Sequence, residues 1–315
     1  MTTSVVVLAG GLSYEREVSL RSGRRVREAL RRAGMDAEVL DVDAQLLAYL
    51  ADSRPDAVFA TLHGAAGEDG ALHDVLELLD LPYVGSAPAA CRLAWDKPTT
   101  KAAAAAAGIR VPRGVALPHA TFRELGAAAV LERIVDRLGL PLMVKPAQGG
   151  SALGTHAVAT ADELPAAMVG CYAYGPTALV EEFVAGTEVA VSVIDRGSGP
   201  VALPAVEIVP ADGVNDYSAR YSAEMAEWYA PARLPGDVAD RLGKMAVRTH
   251  ETLGLRDLSR TDAIVTPDGD IVFLEADVAP GMTDTSLLPR AVRAASLDFS
   301  AVCRDLVERA IARRG

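Results

Sequence analysis

Cysteine, lysine and aromatic side chains are all scarce in this 315-residue chain, and the shortages are informative. The three cysteines, Cys91, Cys171 and Cys303, stand alone, with no CxxC pair and no histidine at ligand spacing. Neither a disulfide framework nor a zinc site is indicated. No apolar stretch approaches the roughly 20 residues that a membrane-spanning helix needs. The opening MTTSVVVLAGG lacks a basic segment and holds only a short apolar run, which reads as a β-strand and not as a secretion signal. A soluble, cytoplasmic protein is expected. Positive charge is outnumbered as well: 31 lysines and arginines face 42 acids, for a net charge of −11. That balance argues against a binder of nucleic acid or anionic membrane, whose footprint is a basic surface. Only four of the cations are lysine, at 97, 101, 145 and 244. So low a share reads as drift toward arginine codons, which gives weight to the places where lysine survives.

What is present is an alternation of strands and helices, in a chain long enough for two or three modest α/β domains. Residues 5–9 form a buried-strand run ending in Gly10-Gly11, and a helix is expected over 16–33. Further strands fall at 37–42 and at 56–62, the latter ending in His63-Gly64, with helices at 44–51 and 70–80. Strands separated by helices imply a doubly wound parallel sheet, with ligands beyond the carboxyl ends of its strands. The arginines at 21, 24, 25, 27, 31 and 32 are expected on a solvated helix face.

A second unit is expected over 96–185. It opens on a helix at 97–107 with six consecutive alanines, a strong helix former. It continues with a helix at 121–138 and strands at 113–117, 142–145, 155–159 and 178–183. A third unit, 186–315, holds strands at 188–195, 201–209, 261–266 and 271–277. It also carries a polar stretch at 211–235 and a closing amphipathic helix at 298–313.

Three local patterns carry chemistry. The segment 145–154, KPAQGGSALG, is a strand ending in lysine followed by a Gly-rich turn. Backbone N–H groups of such a turn can face phosphate oxygens beside the lysine charge, although an ordinary β-turn has the same composition. The GxxxxGK[ST] order of a Walker loop is absent. No GxGxxG opens a helix either, which argues against a nicotinamide dehydrogenase. Second, Asp262 precedes a Pro267-Asp268-Gly269 turn and the pair Glu275 and Asp277, whose i, i+2 spacing puts both on one strand face. Clustered carboxylates suit a hard cation such as Mg²⁺; the alternative is a solvated hairpin face. Third, Arg260 stands two residues before Asp262, and a glycine-containing loop runs from Pro280 to Leu287. The arginine can hold an acid substrate or stabilise developing charge, or else pair internally with the same carboxylates.

Six segments resemble the D-alanine–D-alanine ligase family of the ATP-grasp superfamily, in order along the whole chain. They are GGLSYEREVS at 10–19, LHGAAGEDG at 62–70, Asp96-Lys97, the 145–154 loop, DYSARY at 216–221, and LEADVAPGMT at 274–283 followed by Ser286-Leu287. The resemblance implies the ATP-grasp fold, with ATP held between the central and C-terminal units. It implies that a first D-alanine is activated as an acyl phosphate and attacked by the amine of a second, for peptidoglycan synthesis, cell wall biogenesis and cell shape. Lys97, Lys145 and Arg220 would then meet ATP phosphates, Glu181 and the backbone up to Val184 the adenine, and Glu188 the ribose. Asp262, Glu275 and Asp277 would hold two Mg²⁺, for which Mn²⁺ can substitute. Glu15 would take the ammonium of the first substrate, within reach of Ser151 and Tyr221 and near His63. Arg260 and the Gly281 N–H would face the oxyanion, and Ser286 and Leu287 the second carboxylate. The resemblance also implies a homodimer in the cytoplasm, with a lid over 211–235 that protects the acyl phosphate from water.

The chain departs from the family pattern at several positions. Arg220 stands in place of lysine, Asp277 in place of asparagine, and Ala152 in place of a second serine. His73-Asp74 replaces Gln-Gly, and Asn215 stands at an aromatic position of the lid. These departures leave open a related amino-acid ligase with other substrates. A non-catalytic nucleotide-binding homologue is the reading from another class.

Overall fold

The computed structural model of the chain describes residues 2–210 and 226–313. Among these, three sheets organise the molecule. In the first, β1 (Ser4–Ala9), β2 (Asp36–Asp41), β3 (Ala57–Ala60) and β4 (Tyr83–Val84) run parallel in the order β2-β1-β3-β4. Val5 to Ala9 are all buried, as a parallel strand covered on both faces requires. The helix Arg16–Arg32 buries Val18, Ser22, Val26, Ala29 and Leu30 at helical spacing. It lies so close to the sheet that a Cβ on Gly23 would stand 2.5 Å from that of Ala9.

The second sheet is antiparallel: β5 (Gly114–Pro118), β6 (Leu142–Pro146), β7 (His156–Val158) and β8 (Thr177–Glu182), in the order β5-β8-β6-β7. The third contains β9 (Thr187–Asp195), β10 (Pro200–Ala202), β11 (Val206–Pro210), β12 (Ala226–Tyr229), β13 (Leu258–Val265) and β14 (Ile271–Asp277). Its order is β12-β11-β9-β13-β14, with β10 beside β9. Its strands are antiparallel, and β13 pairs with β14 so that Asp262 opposes Glu275 and Arg260 opposes Asp277.

Several elements differ from the sequence expectation. The helix expected over 121–138 breaks at Gly126, whose φ of 86° no continuous helix admits, into His119–Leu125 and Ala127–Leu138. The strand expected over 201–209 divides around Pro204, which has no N–H for the ladder. A helix over Gly236–Thr252 was not anticipated. The closing helix, Phe299–Ala312, buries Val302, Leu306 and Val307 in one cluster with Val5, Val7 and Phe59 of the first sheet. The basic face of Arg16–Arg32 is not simply solvated either. Arg25 donates to the carbonyls of Met282 (3.0 Å) and Thr283 (2.9 Å), and Arg31 to that of Ala37 (2.8 Å).

Two buried histidines make the fold acid-sensitive. His73 packs beside Tyr83 and Cys91, and His250 meets Ser259 at 2.8 Å. Burial pushes both imidazoles down to about 4. Between pH 6.5 and 4 the unfolded chain therefore binds protons that the folded chain refuses, so stability falls as pH falls. Each histidine should cost about 1.4 kcal/mol per pH unit, reaching about 3 kcal/mol apiece at pH 4. Asp41, held at about 2 chiefly by Arg16, loses its contribution only below that window. Urea unfolding of the parent and His73→Gln at pH 7.0, 5.5 and 4.5 should show the parent losing about 1.4 kcal/mol more per pH unit below 6.5 than the variant; an equal slope in the two would refute the assignment.

Candidate active site

A cleft of about 630 Å³ opens between the second and third sheets. Lys97, Lys145, Glu181, Val184 and Glu188 all line it, together with the 148–153 turn and the apolar side chains of Met143, Ile208, Ile264 and Leu274. Lys97 begins the helix Lys97–Ala106, whose first turn is capped by Asp96 accepting from the Thr99 N–H at 3.0 Å. Its ammonium donates to the Gly149 carbonyl and lies 3.3 Å from Glu275. Lys145, next to last in β6, faces Glu181 at 2.7 Å. Lys101, one turn along from Lys97, meets the other oxygen of Glu181, also at 2.7 Å. Burial, then the like charge of Lys145, push the Lys101 amine down to about 7. Burial works to raise the Glu181 carboxyl, but Lys145 and Lys101 outweigh it and hold it below its usual value. Two ammoniums around one carboxylate leave this buried corner net positive, which favours an anion in the cleft.

A smaller chamber of about 50 Å³ adjoins the cleft and shares Lys97, Gly149, Gly150 and Glu275 with it. Glu15, His63, Ser151, Arg260, Asp277 and Gly281 line the rest, with Glu68. Glu15, at the start of Arg16–Arg32, accepts from the Ser151 hydroxyl. Ser151 and Ala152 both take left-handed backbone, at φ 55° and 58°, a strained pair of the kind that gathers at functional loops. The Nε2 atom of His63 is buried with no hydrogen-bond partner among the described residues. Glu68 accepts from the Gly64 N–H at 2.7 Å. Burial, then Asp277 and Glu15, push its carboxyl well up. Glu68 belongs to the LHGAAGEDG segment, but nothing in its spacing there marks it as pointing inward.

The arginine and the acids of the third sheet form one ionic cluster. Arg260 holds Asp262 through two nitrogens, at 2.7 and 2.8 Å, and Asp277 at 2.7 Å. Burial opposes its charge, but Asp262 and Asp277 more than restore it. The internal pairing left open by the sequence is thus realised. Among the described residues no three acid, imidazole or thiol groups converge as a ready cage for a metal. Asp262, Glu275 and Asp277 are nonetheless all oxygen donors on paired strands, balanced here by Arg260 and Lys97, and that donor chemistry fits a hard divalent cation.

The Pro280–Leu287 segment closes the chamber. A Cβ on Gly281 would stand 2.7 Å from Ser286 Oγ, so a larger residue there would displace the Ser286 side chain. Ser286 accepts from the Thr283 N–H at 3.1 Å and precedes the helix Leu287–Ala294. Arg220, Tyr221 and Asn215 lie outside the described residues, as does the 211–225 part of the expected lid. Residues 226–229 form β12 instead of loop.

The family model described as D-ala D-ala ligase C-terminus matches residues 104–308. A D-alanine–D-alanine ligase of Pelotomaculum thermopropionicum is 41% identical over 311 residues, covering 99% of this chain and 98% of that protein. The chain belongs to the D-alanine–D-alanine ligase family. A second family member, from Bordetella avium, is 40% identical over 299 residues, 95% of this chain and 92% of its own. Solved structures agree with the ATP-grasp ligase fold expected from the sequence. The VanG D-Ala:D-Ser ligase of Enterococcus faecalis superposes with a TM-score of 0.85 at 28% identity, covering 98% of this chain and 100% of that one. The D-alanine–D-alanine ligase of Bacillus anthracis complexed with ATP gives 0.82 at 26% identity, covering 99% of each. No helix among the described residues is long and apolar enough to cross a membrane.

Proposed function

We propose that this chain is an ATP-dependent D-alanine–D-alanine ligase supplying the dipeptide for peptidoglycan synthesis in the cytoplasm. The observation that carries the reading is the shared wall. A cleft of nucleotide size meets a small, acid-lined chamber at Lys97, Gly149, Gly150 and Glu275. The site would assemble from three units, 1–95, 96–185 and 186–315, in a homodimer.

In this reading Lys97, Lys145 and Arg220 steady the phosphates of ATP, Glu181 and the Val184 backbone meet the adenine, and Glu188 the ribose. Glu15, held by Ser151, takes the ammonium of the first D-alanine beside His63, a substrate that Tyr221 would also serve. Its carboxylate oxygen accepts the γ-phosphoryl group and ADP leaves. The amine of the second D-alanine, whose carboxylate rests on Ser286 and Leu287, attacks the acyl carbon. Arg260 and the Gly281 N–H stabilise the tetrahedral oxyanion, and phosphate departs. Asp262, Glu275 and Asp277 would hold two Mg²⁺, or Mn²⁺, which neutralise phosphate charge when bound. A second reading, with a different acceptor such as D-serine, draws on the likeness to a D-Ala:D-Ser ligase.

Phosphate release from ATP and Mg²⁺ across D- and L-amino acids and hydroxy acids tests both. Release that needs D-alanine, with dipeptide formed, supports the first reading; activity only with another acceptor selects the second, and none with any acid overturns both. Glu15→Gln should raise the KM of the first D-alanine by about ten- to a hundredfold, the worth of one charged hydrogen bond, with the KM of ATP little changed. An unchanged KM for D-alanine would remove Glu15 from the ammonium site.

A further inference from the structure

Lys101 is the one survivor of the scarce lysines that sits buried yet outside the cleft wall. Its side chain is 7% exposed, and it meets Glu181 at 2.7 Å without lining the cleft. Lys145 reaches the same carboxylate from the cleft side. Glu181 itself is 2% exposed, so water cannot balance its charge. Its ionisation depends on ammonium partners, and a buried carboxylate that loses them takes up a proton.

The two lysines are not equivalent once a nucleotide binds. Lys145 lines the cleft and can turn to a phosphate; Lys101 cannot. If Lys145 were the only partner, phosphates would draw away the charge that keeps Glu181 an anion at the moment its chemistry matters. Withdrawing Lys145 also removes the like charge that, after burial, pushes the Lys101 amine down. Lys101 is then more fully an ammonium with nucleotide present than without it.

We propose that Lys101 is a positioning residue that keeps Glu181 ionised and fixed while the cleft is occupied, and thereby sets the choice of purine base. An ionised carboxylate only accepts hydrogen bonds, whereas a protonated one also donates. Ionised Glu181 therefore takes the 6-amino group of adenine and repels the 6-carbonyl of hypoxanthine or guanine. Protonated Glu181 would accommodate either. This inference rests on the reading that Glu181 meets the base.

The test measures dissociation constants of ATP and inosine triphosphate by calorimetry, with Mg²⁺ and without amino acids. The proteins compared are the parent chain and Lys101→Met, Lys101→Arg, Lys101→Gln and Glu181→Gln. Lys101→Met should lower the preference for ATP over inosine triphosphate by about tenfold or more, the lower end of a charged hydrogen bond. Lys101→Arg, which keeps the charge, should restore the preference to within about threefold of the parent. A merely structural lysine would weaken both nucleotides alike and leave their ratio unchanged, and that result overturns the proposal. Should Lys101→Met fail to fold, Lys101→Gln, which keeps a donor but no charge, carries the same expectation. In Glu181→Gln the amide can donate to a 6-carbonyl, so the preference should collapse. If it collapses there but not in the Lys101 variants, the proposal alone fails; if Glu181→Gln retains the parent's preference, the placement of the base on Glu181 fails and takes the proposal with it.

Discussion

Glu275→Gln should lower ligation by about a thousandfold or more while leaving the fold in place. The substitution keeps the size of the side chain and removes one negative charge at the wall common to both chambers. Glu275 sits opposite Asp262 on the neighbouring strand and 3.3 Å from the Lys97 ammonium. Without its charge, Lys97 loses its anionic partner and keeps only the Gly149 carbonyl of the Gly-rich turn. The acids available to a divalent cation fall from three to two, so the Mg²⁺ requirement should rise by about tenfold or more. The side chain is 20% exposed at the cleft, so the urea midpoint should move little. Steady-state rates at saturating ATP, over a Mg²⁺ titration, give both readouts. Near-normal ligation in this variant would mean that the metal assignment is wrong.

The second large effect concerns stability. Asp257 lies at the turn before β13, fully buried, with a left-handed φ of 64°. It accepts from the Gly85 N–H at 2.8 Å and from Arg313 through two nitrogens, one at 2.8 Å, and lies 3.4 Å from Arg309. One carboxylate thus ties the end of β4 and the closing helix to the third sheet. Asp257→Asn keeps the shape, and asparagine tolerates left-handed backbone, so what is lost is charge. Because Arg309 and Arg313 are about a quarter exposed and water can reach them, losing the carboxylate's charge costs about 1.5–3 kcal/mol, the worth of a charged hydrogen bond and not of a fully buried pair. Urea unfolding should register a loss of that size. Combined with Arg313→Met, the loss should fall well short of the sum, as coupled partners do. A loss below about 1 kcal/mol, or strict additivity, would contradict this picture.

Much of the site could be read from residues alone because its parts lie on short, continuous patterns. The Asp262 hairpin is one: a turn signal and alternating acids define both the strands and the face. The parallel first sheet is another, since unbroken apolar runs ending in glycine are what such strands require. The Arg260–Asp277 pair stood as one of two alternatives, and the register of β13 against β14 realises it. What escaped was pairing between distant elements. Lys101 could be placed one turn from Lys97, but its partner Glu181 comes from a strand of another element. Arg25 looked like one more solvated arginine until the Met282 and Thr283 carbonyls arrived beside it. The amphipathic face of the closing helix announced that it would be covered, not by what.

That last placement has a consequence for how the protein is made. The face of the first sheet that holds Val5, Val7 and Phe59 is completed by Val302, Leu306 and Val307. A ribosome adds about 5–20 residues per second, so roughly 15–60 s separate the emergence of the two partners. During that interval the earliest-made strands present an apolar surface with its cover still unsynthesised. That part of the first sheet stays incomplete until residue 307 has been made.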